Sequence, residues 1–156
     1  MTRLIDRALL DEVSGEARHS QRRRMNRNFH QSNDYPAHRL LNAVEPDSYI
    51  APHRHLDPAK DETLVVLRGK LGLVIFDDAG NVLSKKLLIA GGECIGVDIP
   101  HGTWHTLLSL EAGSVFLEAK AGPYLPPADI ERASWAPAEN DANTAEYHAR
   151  LAQLFA

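Results

Sequence analysis

The chain has 156 residues, 44% of them hydrophobic and 24% charged, with a formal net charge of −4. That is enough sequence for one domain with its own core, and it is too apolar for intrinsic disorder. The acidic balance removes any general attraction to nucleic acid or anionic membrane surfaces. The single cysteine, Cys94, excludes an internal disulfide and suits a reducing compartment.

At the N-terminus, Leu4, Ile5, Ala8, Leu9 and Val13 recur at helical spacing, and Ser14-Gly15 ends the pattern, which predicts a short helix. Asp6, Arg7, Asp11 and Glu12 interrupt it too often for a signal peptide. No run approaches the roughly 18 apolar residues of a membrane span. The expectation is a cytoplasmic protein with no membrane and no nucleic-acid partner. Residues 16–36 are polar, with Arg22, Arg23, Arg24 and Arg27 among asparagines, and read either as a solvated loop or as an ordered arm over a pocket, with Arg24, Asn26, Asn28 and His30 closing over the barrel mouth.

From Ala37 onward the pattern changes to short β-rich runs. They cover 39–44, 48–52, 63–67, 72–76, 82–89, 93–99, 103–110 and 114–120, and turn residues such as Asp77-Asp78-Ala79-Gly80-Asn81 and Ala90-Gly91-Gly92 separate them. Eight short strands with no helices between them predict an antiparallel sandwich or barrel. Cys94, inside the run 93–99, is expected to be a buried, inert thiol. Gly122-Pro123-Tyr124-Leu125-Pro126-Pro127 must be an irregular crossing. Tyr147, Leu151, Leu154 and Phe155 then form one apolar stripe of a C-terminal helix. The organisation expected is an N-terminal helix and polar arm over 1–36, a barrel over 37–122, and a C-terminal crossing and helix over 123–156, all in one domain.

The sharpest local feature is Pro52-His53-Arg54-His55. On an extended chain His53 and His55 face the same way, because strand side chains alternate with a period of two. Two imidazoles on an inward face can reach one ion at about 2.0–2.2 Å. Glu62 opens the next strand and His105 lies on a later one, so a carboxylate and a third imidazole can converge with them. Three nitrogens and one oxygen leave coordination positions open, as a catalytic metal site requires. Arg54 should face away from such a site, Trp104 should point opposite to His105, and His101 should sit exposed in a turn.

These residues resemble two known motifs. His53-Arg54-His55, Glu62 and then Gly69 resemble the first cupin motif, and Pro100, Gly102 and His105 resemble the second, Pro-x-Gly-x-x-His. More narrowly, the chain is similar to the WbuC-type cupin-fold metalloproteins. That similarity rests on Arg24-x-Asn26-x-Asn28-Phe29-His30, Asp47-Ser48-Tyr49-Ile50-x-Pro52-His53, Glu118-Ala119-Lys120-Ala121-Gly122-Pro123-Tyr124 and Trp135-Ala136-Pro137. It implies an all-β fold: a cupin jelly-roll β-barrel with short flanking N- and C-terminal helices. Asp47 and Cys94 stand where the motifs carry glycine, Ser109 where the second has asparagine, and six residues separate His55 from Glu62 where cupins usually have three or four. Asp57 and Asp61 are therefore rival carboxylates to Glu62.

The resemblance further implies one divalent transition metal (zinc, iron, nickel or manganese) on His53, His55, Glu62 and His105. It implies a small-molecule partner, sugar-like or anionic, with Arg24, Asn26, Asn28, His30, Lys120 and Tyr124 as ligand-binding residues, and a homodimer. WbuC-type proteins are linked to surface-polysaccharide pathways, which implies a sugar or nucleotide-sugar substrate and isomerase-like chemistry. A metal-dependent dioxygenase and a non-catalytic binding or regulatory cupin remain as alternatives. No general base is identified; Tyr49 and Glu118 qualify by residue type alone.

Overall fold

A computed structural model describes residues 1–156. The chain folds in the order α1 (Arg7–His19), β1 (Arg24–Asn28), β2 (Ala37–Val44), β3 (Glu62–Arg68), β4 (Lys70–Phe76), β5 (Val82–Ile89), β6 (Gly96–Ile99), β7 (Trp104–Ser109), β8 (Ser114–Ala121) and α2 (Thr144–Gln153), with one 3-10 turn over Asp129–Glu131. The strands form two antiparallel sheets, a larger one ordered β1-β2-β8-β3-β6 and a smaller one ordered β5-β4-β7. Between them Val44, Leu64, Val66, Leu71, Leu73, Leu88, Ile99, Leu107 and Phe116 make one buried cluster. This is the jelly roll that the strand spacing and motifs predicted. No helix is long and apolar enough to cross a membrane.

The helices cover the outer faces. Asp6 caps α1 by accepting from the Leu9 amide at 3.0 Å, satisfying one of the free donors of the first turn. The helix runs through Ser14-Gly15 instead of stopping there. Val13, Ser14 and Ala17 are buried, and Val13 and Ala17 pack on Leu41, Ala43 and Val115, so tertiary burial outweighs the local stop signal. On the smaller sheet, Leu151 of α2 packs with Val74, Phe76, Trp104 and Leu108. Gly72 admits the Phe155 ring, which lies 2.6 Å from where a β-carbon would stand.

Three local expectations need correction. Residues 24–28 are not arm or loop but β1, paired along its length with β2. Residues 48–52 form no strand; only an isolated bridge at His53 survives there. Cys94 is exposed, because the chain leaves the Gly91-Gly92 turn irregularly and joins the sheet only at Gly96. Trp104 points away from His105 as expected, and packs on the outer side of the smaller sheet against Trp135, with its indole N–H donating to Asp78.

Candidate metal centre

His53 and His55 lie on the connection between β2 and β3, and β7 holds His53 in place. The His53 amide donates to the His105 carbonyl at 3.0 Å and the His105 amide donates back to His53 at 3.0 Å. Further on, the His55 carbonyl accepts from the Gly102 amide at 2.6 Å, so each half of the His-x-His pair is tied to the second motif. Arg54 alternates outward, its guanidinium 4.3 Å from the Trp104 ring centroid. Glu131 anchors the following loop by accepting from the Leu56 amide.

Glu62 opens β3 and points inward. One ligand atom from each of His53, His55, Glu62 and His105 lies within 4.8 Å of the others. The long loop brings neither rival carboxylate into the group: Asp57 accepts from the Ala59 amide, and Asp61 binds the His101 ring and amide in the exposed turn. Glu62 and His105 are only 4% and 2% exposed, so these polar groups are withdrawn from bulk water.

The hydrogen bonds fix which nitrogens face inward. Nδ1–H of His53 donates to the Ala51 carbonyl and that of His105 to the Thr103 carbonyl, each at 2.9 Å. Both Nε2 lone pairs are thereby left to point at the centre, the outer-shell arrangement common to metal-bound imidazoles. Burial, reinforced by the neighbouring His105 ring, pushes the His53 pKa down to about 3, so His53 is neutral at ordinary pH.

Glu62 supplies the fit test for a cation. Its Oε2 lies 3.2 Å from His55 Nε2 and 3.3 Å from His105 Nε2, yet this buried oxygen has no hydrogen-bond donor. A carboxylate oxygen facing an imidazole lone pair is costly unless a cation sits between them. Burial alone would raise the Glu62 carboxyl, but contact with Glu118, His105 and His55 holds it well below the usual range. Three imidazoles and one carboxylate suit zinc, iron, nickel or manganese.

Two cavities open on this group. The deeper, of about 720 Å³, is lined by Arg24, Asn26, Asn42, His53, Glu62 and His105 among others. The outer, of about 400 Å³, includes Asn28, His30, His38, His55, Lys120 and Tyr124. Asn26, Glu118 and Tyr124 line both, so the two join into one path from the mouth to the four clustered residues. All six residues expected to bind a ligand lie on this path. Asn26 and Asn28 project from the polar face of β1, whereas Met25 packs towards α1 and Arg27 pairs with Glu16 of that helix.

Arg24 is less available than its residue type suggests. Its guanidinium already donates to Ser48, the Tyr49 carbonyl and Glu139. Of the two candidate bases, Tyr49 is committed to structure: it is buried and donates to the Pro137 carbonyl at 2.7 Å. Glu118 faces the cavity beside Glu62, and burial together with that neighbour raises its pKa well above the usual range. Asn42, absent from the sequence-based selection, also lines the deep cavity, and its buried amide nitrogen has no partner. Only its alternation with Leu41 on β2 could have flagged it.

A family model described as a domain of unknown function, DUF6016, matches residues 5–88, more than half of the chain. The chain belongs to the DUF6016 family. No curated protein matches this DUF6016 sequence. Among solved structures it is similar to BH2720 from Bacillus halodurans (15% identity, TM-score 0.54, 84% of this chain and 89% of that one). It is also similar to CapF in complex with the inhibitor 3-isopropenyl-tropolone (19% identity, TM-score 0.54, 72% of this chain and 31% of that one). KdgF from Halomonas sp. gives 17% identity and a TM-score of 0.50 over 64% of this chain and 80% of that one. At such identities the likeness carries the fold, and the fold is that of the cupins.

Proposed function

We propose that this DUF6016 protein is a metal-dependent cupin enzyme acting on a small, sugar-like molecule. The observation that carries the reading is the buried Glu62 oxygen, without a donor, facing the inward nitrogens of His55 and His105. A divalent ion held there by His53, His55, Glu62 and His105 would supply Lewis-acid polarisation of a hydroxyl or carbonyl, or a bound water of lowered pKa. The chain's own residues do the rest. His53 and His105 are held in orientation by their Nδ1–H bonds to the Ala51 and Thr103 carbonyls, and the asparagines of β1 and β2 offer donors and acceptors to hydroxyl groups.

The sugar or nucleotide-sugar substrate and the isomerase-like chemistry are supported by the resemblance of residues 24–30, 47–53 and 118–124 to WbuC-type proteins. Metal-loaded protein incubated with nucleotide sugars and sugar phosphates tests this. Conversion of one of them, lost in His105→Ala, is the expected result. Oxygen uptake in the presence of ferrous iron without any such conversion would point instead to a dioxygenase.

A further inference from the structure

The Lys120 ammonium makes no ion pair in the fold, although Glu118, two residues before it on β8, lies within electrostatic reach. Lys120 ends the inward face of β8, opposite Glu62 of β3 and His38 of β2. It is half-buried and forms no ion pair, and its one hydrogen bond runs to His55 Nε2 at 3.4 Å. That nitrogen's lone pair is also the one His55 would give to a metal. Loading the centre therefore removes the ammonium's acceptor and leaves a cation at the cavity wall, next to a second positive charge. A half-buried ammonium without an acceptor is costly, and an anion brought by the ligand relieves it.

We infer that Lys120 is the carboxylate-binding residue of this site, and that the ligand is a polyhydroxy acid. Its carboxylate meets Lys120 while a neighbouring oxygen reaches the metal. The inference rests on the metal reading above and names the substrate class that reading leaves open. A carboxylate fits better than a phosphate: one ammonium balances a single negative charge, whereas a phosphate dianion calls for a second free cation on the same wall. Both arginines lining the deep cavity are already engaged: Arg22 donates to Glu139, and Arg24 to Ser48, the Tyr49 carbonyl and Glu139. The remaining polar wall suits hydroxyl groups, with Asn26 and Asn28 exposed into the cavity and the Asn42 amide nitrogen unpartnered. Lys60, at the mouth, is held by the Pro123 carbonyl and does not compete for the inner carboxylate.

The experiment is calorimetric titration of protein loaded with one equivalent of zinc and desalted, using D-gluconate, its neutral counterpart D-glucitol, and inorganic phosphate. The expected result is that gluconate binds at least about tenfold more tightly than glucitol, the worth of one charge-assisted hydrogen bond. Lys120→Met should abolish that preference while leaving zinc content, by elemental analysis, unchanged, and Lys120→Arg should keep part of it. If Lys120→Met fails to fold, Lys120→Gln takes its place. Equal binding of gluconate and glucitol, no binding of either, a preference that survives Lys120→Met, or phosphate binding as tightly as gluconate would overturn the assignment. Wild-type protein that takes up no zinc would overturn the metal reading and this one with it; protein that holds zinc without the acid preference sinks only the role of Lys120.

Discussion

His53 and His105 hold each other by two reciprocal backbone hydrogen bonds, each 3.0 Å, with their rings 4.6 Å apart. The two motifs are joined by main chain before any side chain is counted. The site is therefore preorganised by the fold rather than assembled by the ion. The metal-free protein should stay folded, and His53→Ala and His105→Ala should keep its far-ultraviolet circular dichroism while losing metal. Unfolding on chelation would show the reverse dependence, as in domains that fold only around their ion.

Glu62→Gln keeps the volume and replaces the one carboxylate of the four-residue cluster with a neutral amide. Metal affinity should fall by more than the roughly 10–100-fold typical of losing an outer-shell partner. Competition with a chromogenic chelator would measure it. An unchanged affinity would leave Glu62 outside the coordination set.

Asn42 keeps a buried amide nitrogen unpaired in the deep cavity. Asn42→Leu, of similar shape, should stabilise the ligand-free protein by about 1 kcal/mol, since it removes a desolvated donor that has no acceptor. At this chain length that is roughly 2–4 °C in melting temperature. Ligand affinity should fall in the same variant, the usual exchange between stability and function at a binding site.

The pH dependence follows from His53 and Glu139. Burial lowers His53 to about 3, and the hydrogen bond from Arg22 leads the contacts that hold Glu139 at about 2. Both groups bind protons more readily in the unfolded chain than in the fold. Their contribution is therefore complete above the unfolded values, near 6.5 and 4.5, and is lost as pH falls towards 3 and 2. Denaturant melts of the metal-free protein should weaken steadily below about pH 6. His53→Asn should flatten the upper part of that decline and Glu139→Gln the lower.

Gly69 occupies the turn between β3 and β4 at φ 82°, and a β-carbon there would stand 2.3 Å from Ser114 Oγ. Gly69→Ala should cost at least about 1 kcal/mol through the left-handed backbone alone, before the clash is counted. A melting temperature equal to wild type would contradict this.

Much of the centre was legible in the sequence because its information is local. A His-x-His pair and a Pro-x-Gly-x-x-His run each fix side-chain direction within a few residues, and Gly69 marks a turn that only a residue tolerant of positive φ fills readily. Glu62 was harder to choose over Asp57 and Asp61, since the long loop hides which carboxylate turns inward; only the partners of the other two, the Ala59 amide and His101, resolve it. β1 was invisible because one of its faces lines a polar cavity, so Arg24, Asn26 and Asn28 look like solvated loop. Ser14-Gly15 signalled a stop that burial against the larger sheet overrode. Cys94 illustrates the opposite error: apolar neighbours in sequence do not bury a residue that the chain carries around the outside of a turn.

The most direct test is elemental analysis of protein purified without chelating resin, alongside the Glu62→Gln and His105→Ala variants. Close to one equivalent of a divalent transition metal per chain, lost in both variants with the fold intact, is the predicted result. Wild-type protein that is metal-free and takes up no ion at micromolar concentration, or variants that retain it in full, would contradict the account.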